Sequence, residues 1–484
     1  MQKVILKCIS MLLILNLFGC QNNLSKSPSY QSSFEKQLVP SIQVTSEPRY
    51  FSIEDRMEHY AVPGMSIAIV KDGKIVFHKG YGYARLADSV RVDEQTIFQS
   101  GSIAKSITAF AVIRLIEKGV LDLDENVETY LKTWSLPENP FTKETPVTLR
   151  MLLSHTAGVN NNNHKGFPQN GPSPSLNQLL DGYEDFKAVS IDTAPGLRYK
   201  YSNNGYGVIQ RILEDVTGQT FNEIVTQEVL KPLKMRQSTF EEKQHNAENL
   251  SVSYAYNRSG EMVDGYWYNA SVKASGEMWT TAEDLAKFML GMQACLVSDQ
   301  GLISKDHAIE MITRVKADYG LGFDVKNEGD STVFYHTGKN VGFTNLIMAS
   351  AQGKNGVVIL TNGDNGGYLF SEITRGISEL EKWDFMKPRM VEDVEVDGSI
   401  LETYLGTYKL DFDGEIYTFV VERDGPNLTL LDPDEAAYYP IRATSKTDFV
   451  AIDDGENVKF ITNPDQSITL LWDDDYNFKR VVDQ

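Results

Sequence analysis

The chain has 484 residues, of which 41% are hydrophobic and 23% charged, so it is long enough for two domains with buried cores. It carries 46 basic and 66 acidic side chains, which gives a formal net charge of −20. This excess of negative charge argues against a nucleic-acid partner and against electrostatic docking on anionic lipid.

The N-terminus has the pattern of an export signal. Lys3 and Lys7 precede an apolar run over residues 9–18 that is too short to span a bilayer comfortably. The run ends at Cys20 in a pattern that resembles the lipobox of a bacterial lipoprotein. The resemblance implies a signal peptide over residues 1–19 and lipidation of the Cys20 thiol. We therefore expect an exported lipoprotein of the bacterial cell envelope, periplasmic or on the outer surface, held to the membrane through that lipid. An ordinary secretory signal or an uncleaved anchor is the alternative.

The next segment, residues 20–45, is rich in Ser, Gln, Asn and Lys and is predicted to form a flexible tether. Beyond the signal, no stretch of 18 residues is apolar enough to cross a membrane. Cys295 has no partner once Cys20 carries lipid, so no disulfide is expected.

A first domain is predicted over residues 46–385. Asp72-Gly73 between two β-rich runs indicates a hairpin, and strand-like runs return near the end of the domain, with helices between. This order predicts an α/β (α+β) domain, in which one antiparallel sheet is flanked by helices and a helical subdomain is inserted. The strand-like runs are 65–70, 75–77, 333–336, 343–348 and 357–360, and the clearest helical segments are 103–118 and 207–217.

A second domain is predicted over residues 391–484, which hold 22 acidic and 7 basic side chains. Short strand-like runs separated by turns predict a small all-β barrel or sandwich. The aspartates at 453–454 and 473–475 could bind calcium, or they could be charged residues of solvent-exposed turns and strand edges. The runs are 416–421, 428–431, 449–452, 458–461 and 468–472.

Several common catalytic patterns are missing from the sequence. It contains no G-x-S-x-G elbow, no phosphate loop ending in G-K-[ST], no H-E-x-x-H and no C-x-x-C. We therefore expect no metal and no cofactor.

The pattern S-x-x-K occurs twice, at Ser33–Lys36 and at Ser102–Lys105. The first copy lies in the predicted tether, whereas the second opens a segment that is apolar on nearly every face. Lys105 follows Ser102 by three residues, so on a helix the two side chains would lie next to each other. Burial and the helix N-terminus would both favour the neutral amine of Lys105. Such an amine can activate a serine hydroxyl. The alternative is a serine that caps the helix and a lysine that reaches its surface.

Tyr201-Ser202-Asn203 is the only Y-x-N in a chain with 23 tyrosines. It follows a turn, so its side chains are expected at a loop or helix start. A tyrosine beside a lysine ammonium is biased towards phenolate and can relay protons, and Asn203 can orient lysine and substrate. A half-buried packing role for Tyr201 is the alternative.

His336-Thr337-Gly338 ends a predicted strand and is the only [KH]-[ST]-G in the chain. Gly338 would permit close backbone approach, and the N–H of Lys339 could pair with that of Ser102 as an oxyanion hole. A histidine on a strand is otherwise a core group with satisfied hydrogen bonds.

These three motifs, in this order and spacing, resemble the serine hydrolases related to class C β-lactamases, penicillin-binding proteins, D-amino-acid peptidases and esterases. The resemblance covers roughly residues 50–380 and includes supporting segments at 152–158, 274–276 and 319–322. It implies a β-lactamase/transpeptidase-like fold, with the acyl-enzyme formed on Ser102. The implied catalytic residues are Ser102, Lys105, Tyr201 and His336, and the implied substrate-binding residues are Asn203, Thr337, Gly338 and Lys339. His155 lies in a family segment and is interpreted as structural.

One departure bears on the substrate. β-Lactamases proper carry lysine where this chain has His336, and a neutral histidine attracts a β-lactam carboxylate less strongly. The expected activity is therefore hydrolysis of an ester or of an amide or peptide bond, including one with a D-residue. The alternatives are a β-lactamase, or a penicillin-binding sensor that turns over slowly. The appended β domain resembles the lipocalin-like or β-sandwich domain that some members carry. It could gate the active-site cleft or bind a partner, or it could only stabilise the protein.

Overall fold

The computed structural model describes residues 34–241, 251–328, 331–412, 415–433, 437–453 and 455–481. The predicted signal peptide, Cys20 and the first serine of the Ser33–Lys36 pattern lie outside these residues. Within the described ranges, no helix combines the length and the apolarity needed to cross a bilayer.

Twenty-one strands and twelve α-helices are labelled here in chain order. The strands are β1 (Ile42–Val44), β2 (Gly64–Lys71), β3 (Lys74–Arg85), β4 (Val90–Arg91), β5 (Phe98–Gln99), β6 (Phe167–Pro168), β7 (Tyr268–Asn269), β8 (Trp279–Thr280), β9 (Asp324–Glu328), β10 (Ser331–Asn340), β11 (Phe343–Ser350), β12 (Gly356–Thr361), β13 (Arg389–Val391), β14 (Gly406–Phe412), β15 (Glu415–Asp424), β16 (Asn427–Asp432), β17 (Ala437–Ala443), β18 (Asp448–Ala451), β19 (Asn457–Thr462), β20 (Ile468–Trp472) and β21 (Tyr476–Arg480). The helices are α1 (Ile53–His59), α2 (Ala104–Glu117), α3 (Pro140–Glu144), α4 (Leu149–Leu153), α5 (Leu176–Asp181), α6 (Asn203–Thr217), α7 (Phe221–Val225), α8 (Lys273–Gly276), α9 (Ala282–Val297), α10 (Lys305–Met311), α11 (Gly366–Leu380) and α12 (Gly398–Tyr404).

The first domain is built on a seven-stranded sheet in the order β4-β3-β2-β12-β11-β10-β9, with every neighbouring pair antiparallel. The hairpin between β2 and β3 turns at Asp72 and Gly73, which have φ values of 51° and 75°, as its Asp-Gly sequence predicted. Strands from the start and the end of the domain lie side by side at β2 and β12. The predicted antiparallel sheet flanked by helices is confirmed.

Both faces of this sheet are covered, because the strands bury side chains on either side. Met65, Ile67 and Ile69 of β2 belong to a core shared with α1 and α11. Ala68 and Val70 face the opposite core, which contains α9 and α2. Two-sided burial explains why β2 reads as a continuous apolar run and not as an alternation.

The second domain is a closed eight-stranded antiparallel barrel, β14 to β21, completed by the pairing of β14 with β21. Closure leaves no strand edge exposed. α12 precedes the first strand, and the ring of Tyr404 stacks on Phe460 of the barrel core at 4.2 Å. The sequence predicted a barrel or a sandwich, and the structure shows a barrel.

In the described part of the chain, no group of three or more His, Cys, Asp or Glu side chains is placed to hold a metal ion.

Residues from Phe34 onwards pack against the body, whereas a flexible tether was expected up to residue 45. Phe34 and Leu38 are fully buried in the core beside α11. β1 pairs in parallel with β13, and Ile42 and Val44 form a small apolar cluster with Val391, Val450 and Ile452. The tether prediction is wrong for residues 34–45, because their few apolar side chains are buried in the first domain and between the two domains.

Candidate active site

Ser102 lies in a short 3₁₀ turn between β5 and α2. The residue before it, Gly101, has φ +57°, and a Cβ there would lie 2.5 Å from the backbone nitrogen of Lys339. A Cβ on Gly338 would lie 1.9 Å from the carbonyl oxygen of Ser100. The serine turn is therefore held directly against β10. This approach brings the backbone of Lys339 against Gly101, the residue before Ser102, which is the side of the turn where the predicted oxyanion hole needs its second N–H.

Lys105 is fully buried on the first turn of α2. Its Nζ lies 3.2 Å from Ser102 Oγ, 2.8 Å from Asn203 Oδ1 and 2.7 Å from the carbonyl oxygen of Ser275. Burial lowers the pKa of this amine well below its usual value, because the ammonium has lost its water. Burial therefore favours the neutral amine, which is the form that can accept a proton.

The three contacts of the neutral amine also fix its orientation. A neutral amine has two N–H groups and one lone pair, and the oxygens of Asn203 and Ser275 can only accept hydrogen bonds. Both N–H groups of Lys105 therefore point at these two acceptors. The lone pair is left for the hydroxyl of Ser102, which makes Lys105 a positioned general base.

Tyr201 donates its hydroxyl to Ser102 Oγ at 2.8 Å, so the serine contacts both predicted partners. Burial raises the pKa of Tyr201, because an apolar environment disfavours phenolate. The expectation of a phenolate-biased tyrosine is wrong, since Lys105 is itself driven towards the neutral amine and supplies no fixed cation. Tyr201 serves as a neutral phenol that donates to Ser102.

Asn203 is the first residue of α6, whose N-cap is Ser202. Its backbone N–H donates to Asn161 Oδ1 at 2.9 Å, and its Nδ2 donates to the carbonyl of Asn162 at 3.0 Å. These bonds leave Oδ1 directed at Lys105. The predicted role of Asn203 in orienting the lysine thus has a geometric basis.

His336 lies behind the site on β10 and is only 2% exposed. Its Nδ1–H donates to the carbonyl of Thr337 at 2.6 Å, so Nε2 accepts from the hydroxyl of Tyr319 at 3.0 Å. Burial lowers the pKa of His336 to about 3, so its ring is neutral. Thr337 is exposed and Gly338 is buried against the serine turn.

His155 occupies the structural role expected of it. Its Nδ1 accepts the backbone N–H of Ser202 at 3.1 Å, and its ring packs 4.3 Å from that of Tyr201. Burial lowers the pKa of His155 well below its usual value. Since Nδ1 is occupied and Nε2 has no hydrogen-bond partner among the described residues, His155 does not act on Ser102 directly.

The structure adds the asparagine run 160–163 to the site, although this run belongs to none of the three sequence motifs. Asn160, Asn161 and Asn162 all bond the segment that carries Tyr201 and Asn203. The run of four amides was visible in the sequence, but its partners lie about 40 residues further along the chain. No local pattern indicates that pairing.

The reactive groups open into a cleft of about 480 Å³. Two cationic side chains, Lys165 and Lys339, line it together with the carboxyl of Asp364, whose Oδ1 accepts the Gly342 N–H. Lys165 also lies over the ring of Tyr268, 4.9 Å from its centroid. Other lining residues are Ser102, Asn162, Asn163, His164, Asn203, Ser271, Ser275 and Asn340.

Known proteins with similar sequences include the putative penicillin-binding protein PbpX of Bacillus subtilis (strain 168), which is 25% identical over 327 residues, or 68% of this chain and 77% of that protein. Protein flp of Staphylococcus aureus (strain MW2) is 26% identical over 313 residues, which is 64% of this chain and 61% of that protein. The chain thus spans about three-fifths of the length of this curated relative.

Solved structures share the architecture. A penicillin-binding protein homologue from Pyrococcus abyssi, described as octameric, is 25% identical and superposes with a TM-score of 0.64, covering 88% of this chain and 98% of that one. The D-amino acid amidase of Ochrobactrum anthropi SV3 has a TM-score of 0.56 at 20% identity, covers 68% of this chain and 98% of its own, and supports the fold alone.

The reactive groups described above are arranged as in a serine hydrolase that works through an acyl-enzyme, and they lie on a β-lactamase/transpeptidase-like fold. The family model described as Beta-lactamase matches residues 52–379, a span that includes all of these groups. Because this match covers more than half of the chain, the protein belongs to the Beta-lactamase family.

Proposed function

We propose that the protein is a serine hydrolase that cleaves an ester, or an amide or peptide bond, through an acyl-enzyme on Ser102. The observation that carries the proposal is the orientation of Lys105. Its two N–H groups are committed to Asn203 and Ser275, so its lone pair faces the Ser102 hydroxyl 3.2 Å away. A buried lysine with no catalytic task would be costly to maintain.

The reaction follows from these contacts in two stages. Ser102 Oγ bonds to the substrate carbonyl carbon as its proton passes to Lys105, while the N–H groups of Ser102 and Lys339 receive the oxyanion. The leaving group departs with a proton relayed from Lys105 through the hydroxyl of Tyr201. A water molecule then attacks the ester carbonyl, gives one proton back to Ser102 through the same groups, and releases the acid.

The cleft favours substrates that carry an anionic group, because two cations, Lys165 and Lys339, outnumber the one carboxylate in its lining, that of Asp364. This point matters since His336 is neutral and supplies no charge. In a chain of net charge −20, two cations in one cleft concentrate anions locally. The D-amino-acid peptidases that the three motifs resemble add amides of D-amino acids to the substrates proposed for this site.

A substrate panel tests the proposal. Purified wild-type protein and Ser102→Ala are compared on p-nitrophenyl esters, D-aminoacyl p-nitroanilides and nitrocefin, with and without a carboxylate on the acyl group. We expect turnover of at least one ester or anilide that Ser102→Ala abolishes. Turnover that survives in Ser102→Ala would contradict the proposal, and a strong preference for nitrocefin would contradict the proposed substrate class.

We also propose that the protein is an exported lipoprotein anchored through Cys20. The support is the sequence alone: a charged start, a short apolar run and a cysteine at its end. Expression in a bacterial host followed by detergent phase partition tests this proposal. Wild-type protein should enter the detergent phase and Cys20→Ser the aqueous phase, and equal partition of the two would contradict it.

A further inference from the structure

A loop of four consecutive asparagines, Asn160–Asn163, lies against the segment that carries Tyr201 and Asn203. We call it the asparagine loop. The carbonyl of Asn160 accepts from Ser202 Oγ at 2.7 Å. Asn161 Oδ1 accepts the Asn203 N–H at 2.9 Å, and the carbonyl of Asn162 accepts from Asn203 Nδ2 at 3.0 Å. Three successive residues therefore bond two residues of the catalytic segment.

The loop is itself anchored from behind. Asn160 is 9% exposed, and its side chain donates to the carbonyl of Ala188 at 2.8 Å and accepts the N–H of Ser190 at 3.0 Å. Asn162 is 6% exposed and donates to the carbonyl of Lys187 at 3.2 Å. Two buried amides thus fix the loop, while the half-exposed Asn161 presents its oxygen to Asn203.

The orientation of the Asn203 amide decides where the lone pair of Lys105 points. With Nδ2 bonded to the Asn162 carbonyl, Oδ1 faces the amine and takes one of its two N–H groups. If this amide rotated by 180°, its NH₂ would face the amine and compete with Ser102 for the lone pair. Asn161 reinforces the observed arrangement by holding the backbone of Asn203 in place.

We propose that the asparagine loop is a positioning element for acylation, with Asn161 acting on Lys105 through Asn203. The inference rests on the proposed function, since it assumes that Lys105 is the base for Ser102. The Asn161 side chain bonds Asn163 and Asn203 and makes no hydrogen bond to Ser102 or Lys105, so it is a positioning residue and not a catalytic one. Displacement of a base by a fraction of an ångström lowers the rate of proton transfer while leaving binding of the acyl donor unchanged.

The test follows covalent labelling of Ser102 by a fluorophosphonate probe over a range of probe concentrations. For Asn161→Ala we expect the limiting labelling rate to fall about ten-fold, and the half-saturating probe concentration to change less than two-fold. Asn161→Ser, whose shorter side chain holds its oxygen farther from the Asn203 N–H, is a second variant with the same expected loss.

Asn257→Ala is the matched control. Asn257 is half-buried like Asn161, and its Nδ2 also donates to a neighbouring side chain. Its Oδ1 accepts the backbone N–H groups of Ser259 at 2.9 Å and Glu261 at 3.0 Å. It does not line the catalytic cleft. Its removal should lower thermal stability by at least as much and leave the labelling rate unchanged. An equal fall in both variants would show a general effect of instability and would overturn the proposal.

Two further variants separate positioning from simple loss of structure. Asn161→Asp keeps an acceptor oxygen for the Asn203 N–H, so it should retain the limiting rate at a pH where labelling no longer increases with pH. In an Asn203→Ala background, Asn161→Ala should cause little further loss, because its effect passes through the Asn203 side chain. Full additivity of the two losses would overturn the proposal.

The outcomes also separate this proposal from the proposed function. If wild-type protein does not label at Ser102, the acyl-enzyme mechanism fails and the positioning role fails with it. If wild type labels at Ser102 and Asn161→Ala labels with the same limiting rate, only the positioning role is refuted.

Discussion

The substitution Tyr201→Phe removes one hydroxyl and tests whether Lys105 and Tyr201, the two groups that contact Ser102, have different catalytic roles. Among the residues that the structure describes, the hydroxyl makes one hydrogen bond, to Ser102 Oγ at 2.8 Å, and the ring is packed against His155. Loss of a hydrogen bond between uncharged groups should reduce the free energy of unfolding by only about 1 kcal/mol. Loss of a group that relays protons should lower kcat about 100-fold, or about 2.7 kcal/mol of transition-state stabilisation.

The pH dependence of this variant is as informative as its rate. Lys105 must be neutral to act, so activity is present above the pKa of its amine and is lost as the pH falls through that value. Burial lowers this pKa, so the wild-type enzyme should remain active near neutral pH. Because Tyr201 stays a neutral phenol, Tyr201→Phe should lower the plateau and leave the acidic limb where it was.

The assay is the pH profile of kcat/KM on an activated ester, measured for wild type, Tyr201→Phe and the control Tyr199→Phe. The ring of Tyr199 also contacts that of His155, edge-on with centroids 5.9 Å apart, so the control reports loss of a neighbouring hydroxyl that does not bond Ser102. We expect at most a three-fold loss in the control. A loss below three-fold in Tyr201→Phe would refute the reasoning, as would disappearance of the acidic limb, which would identify the tyrosine as the base.

Three further predictions follow from the same geometry. Gly338→Ala would force a Cβ to 1.9 Å from the carbonyl of Ser100, so we expect at least 100-fold slower labelling of Ser102, measured beside the melting temperature. Unchanged labelling would contradict the close approach. Lys339→Ala keeps the backbone N–H but removes a cation from the cleft, so KM should rise about ten-fold for carboxylate-bearing esters and stay constant for neutral ones. A uniform rise would argue against charge recognition. Burial of neutral His336, whose folded pKa is about 3 against 6.5 when unfolded, means that stability is lost as the pH falls below 6.5. The free energy of unfolding, measured with urea, should fall between pH 7 and pH 5 in wild type. In His336→Gln this fall should be smaller by roughly 2 kcal/mol, and identical falls in the two proteins would contradict this account.

Much of the architecture was predictable because its signals are local. The Asp72-Gly73 turn fixes the first hairpin, and the apolar runs at β2 and β12 are the strands that meet at the centre of the sheet. The placement of Tyr201 and Asn203 beside Lys105 followed from rare motifs in a fixed order. Those motifs identify residues that meet in space even though they are about 100 residues apart.

What the sequence did not reveal depends on contacts between distant segments. β17 was missed because Pro440 interrupts its β-rich pattern, although its neighbours in the barrel pair with it on both sides. The tether was extended too far because Phe34 and Leu38 are isolated apolar residues in a polar stretch, and only α11 shows what they pack against.

The protonation state of Tyr201 was predicted wrongly from sequence. Burial was expected to favour the neutral amine of Lys105, yet the phenolate expected for Tyr201 needs a lysine ammonium beside it, and only the depth of burial decides between the two. Lys105 is fully buried, so both groups are held neutral. Tyr201 then donates to Ser102 and Ser102 donates to Lys105, the reverse of the directions that a phenolate and an ammonium would give. The same depth of burial makes His336 a neutral acceptor for Tyr319.

The central claim is that Ser102 becomes acylated because Lys105 receives its proton. Intact-mass measurement after exposure to a fluorophosphonate probe tests this claim most directly, with the adduct located by peptide mapping. We predict one adduct on wild-type protein at Ser102, none on Ser102→Ala, and labelling slowed at least 100-fold in Lys105→Met. An adduct of equal yield on Ser102→Ala, or labelling of Lys105→Met at the wild-type rate, would contradict the account.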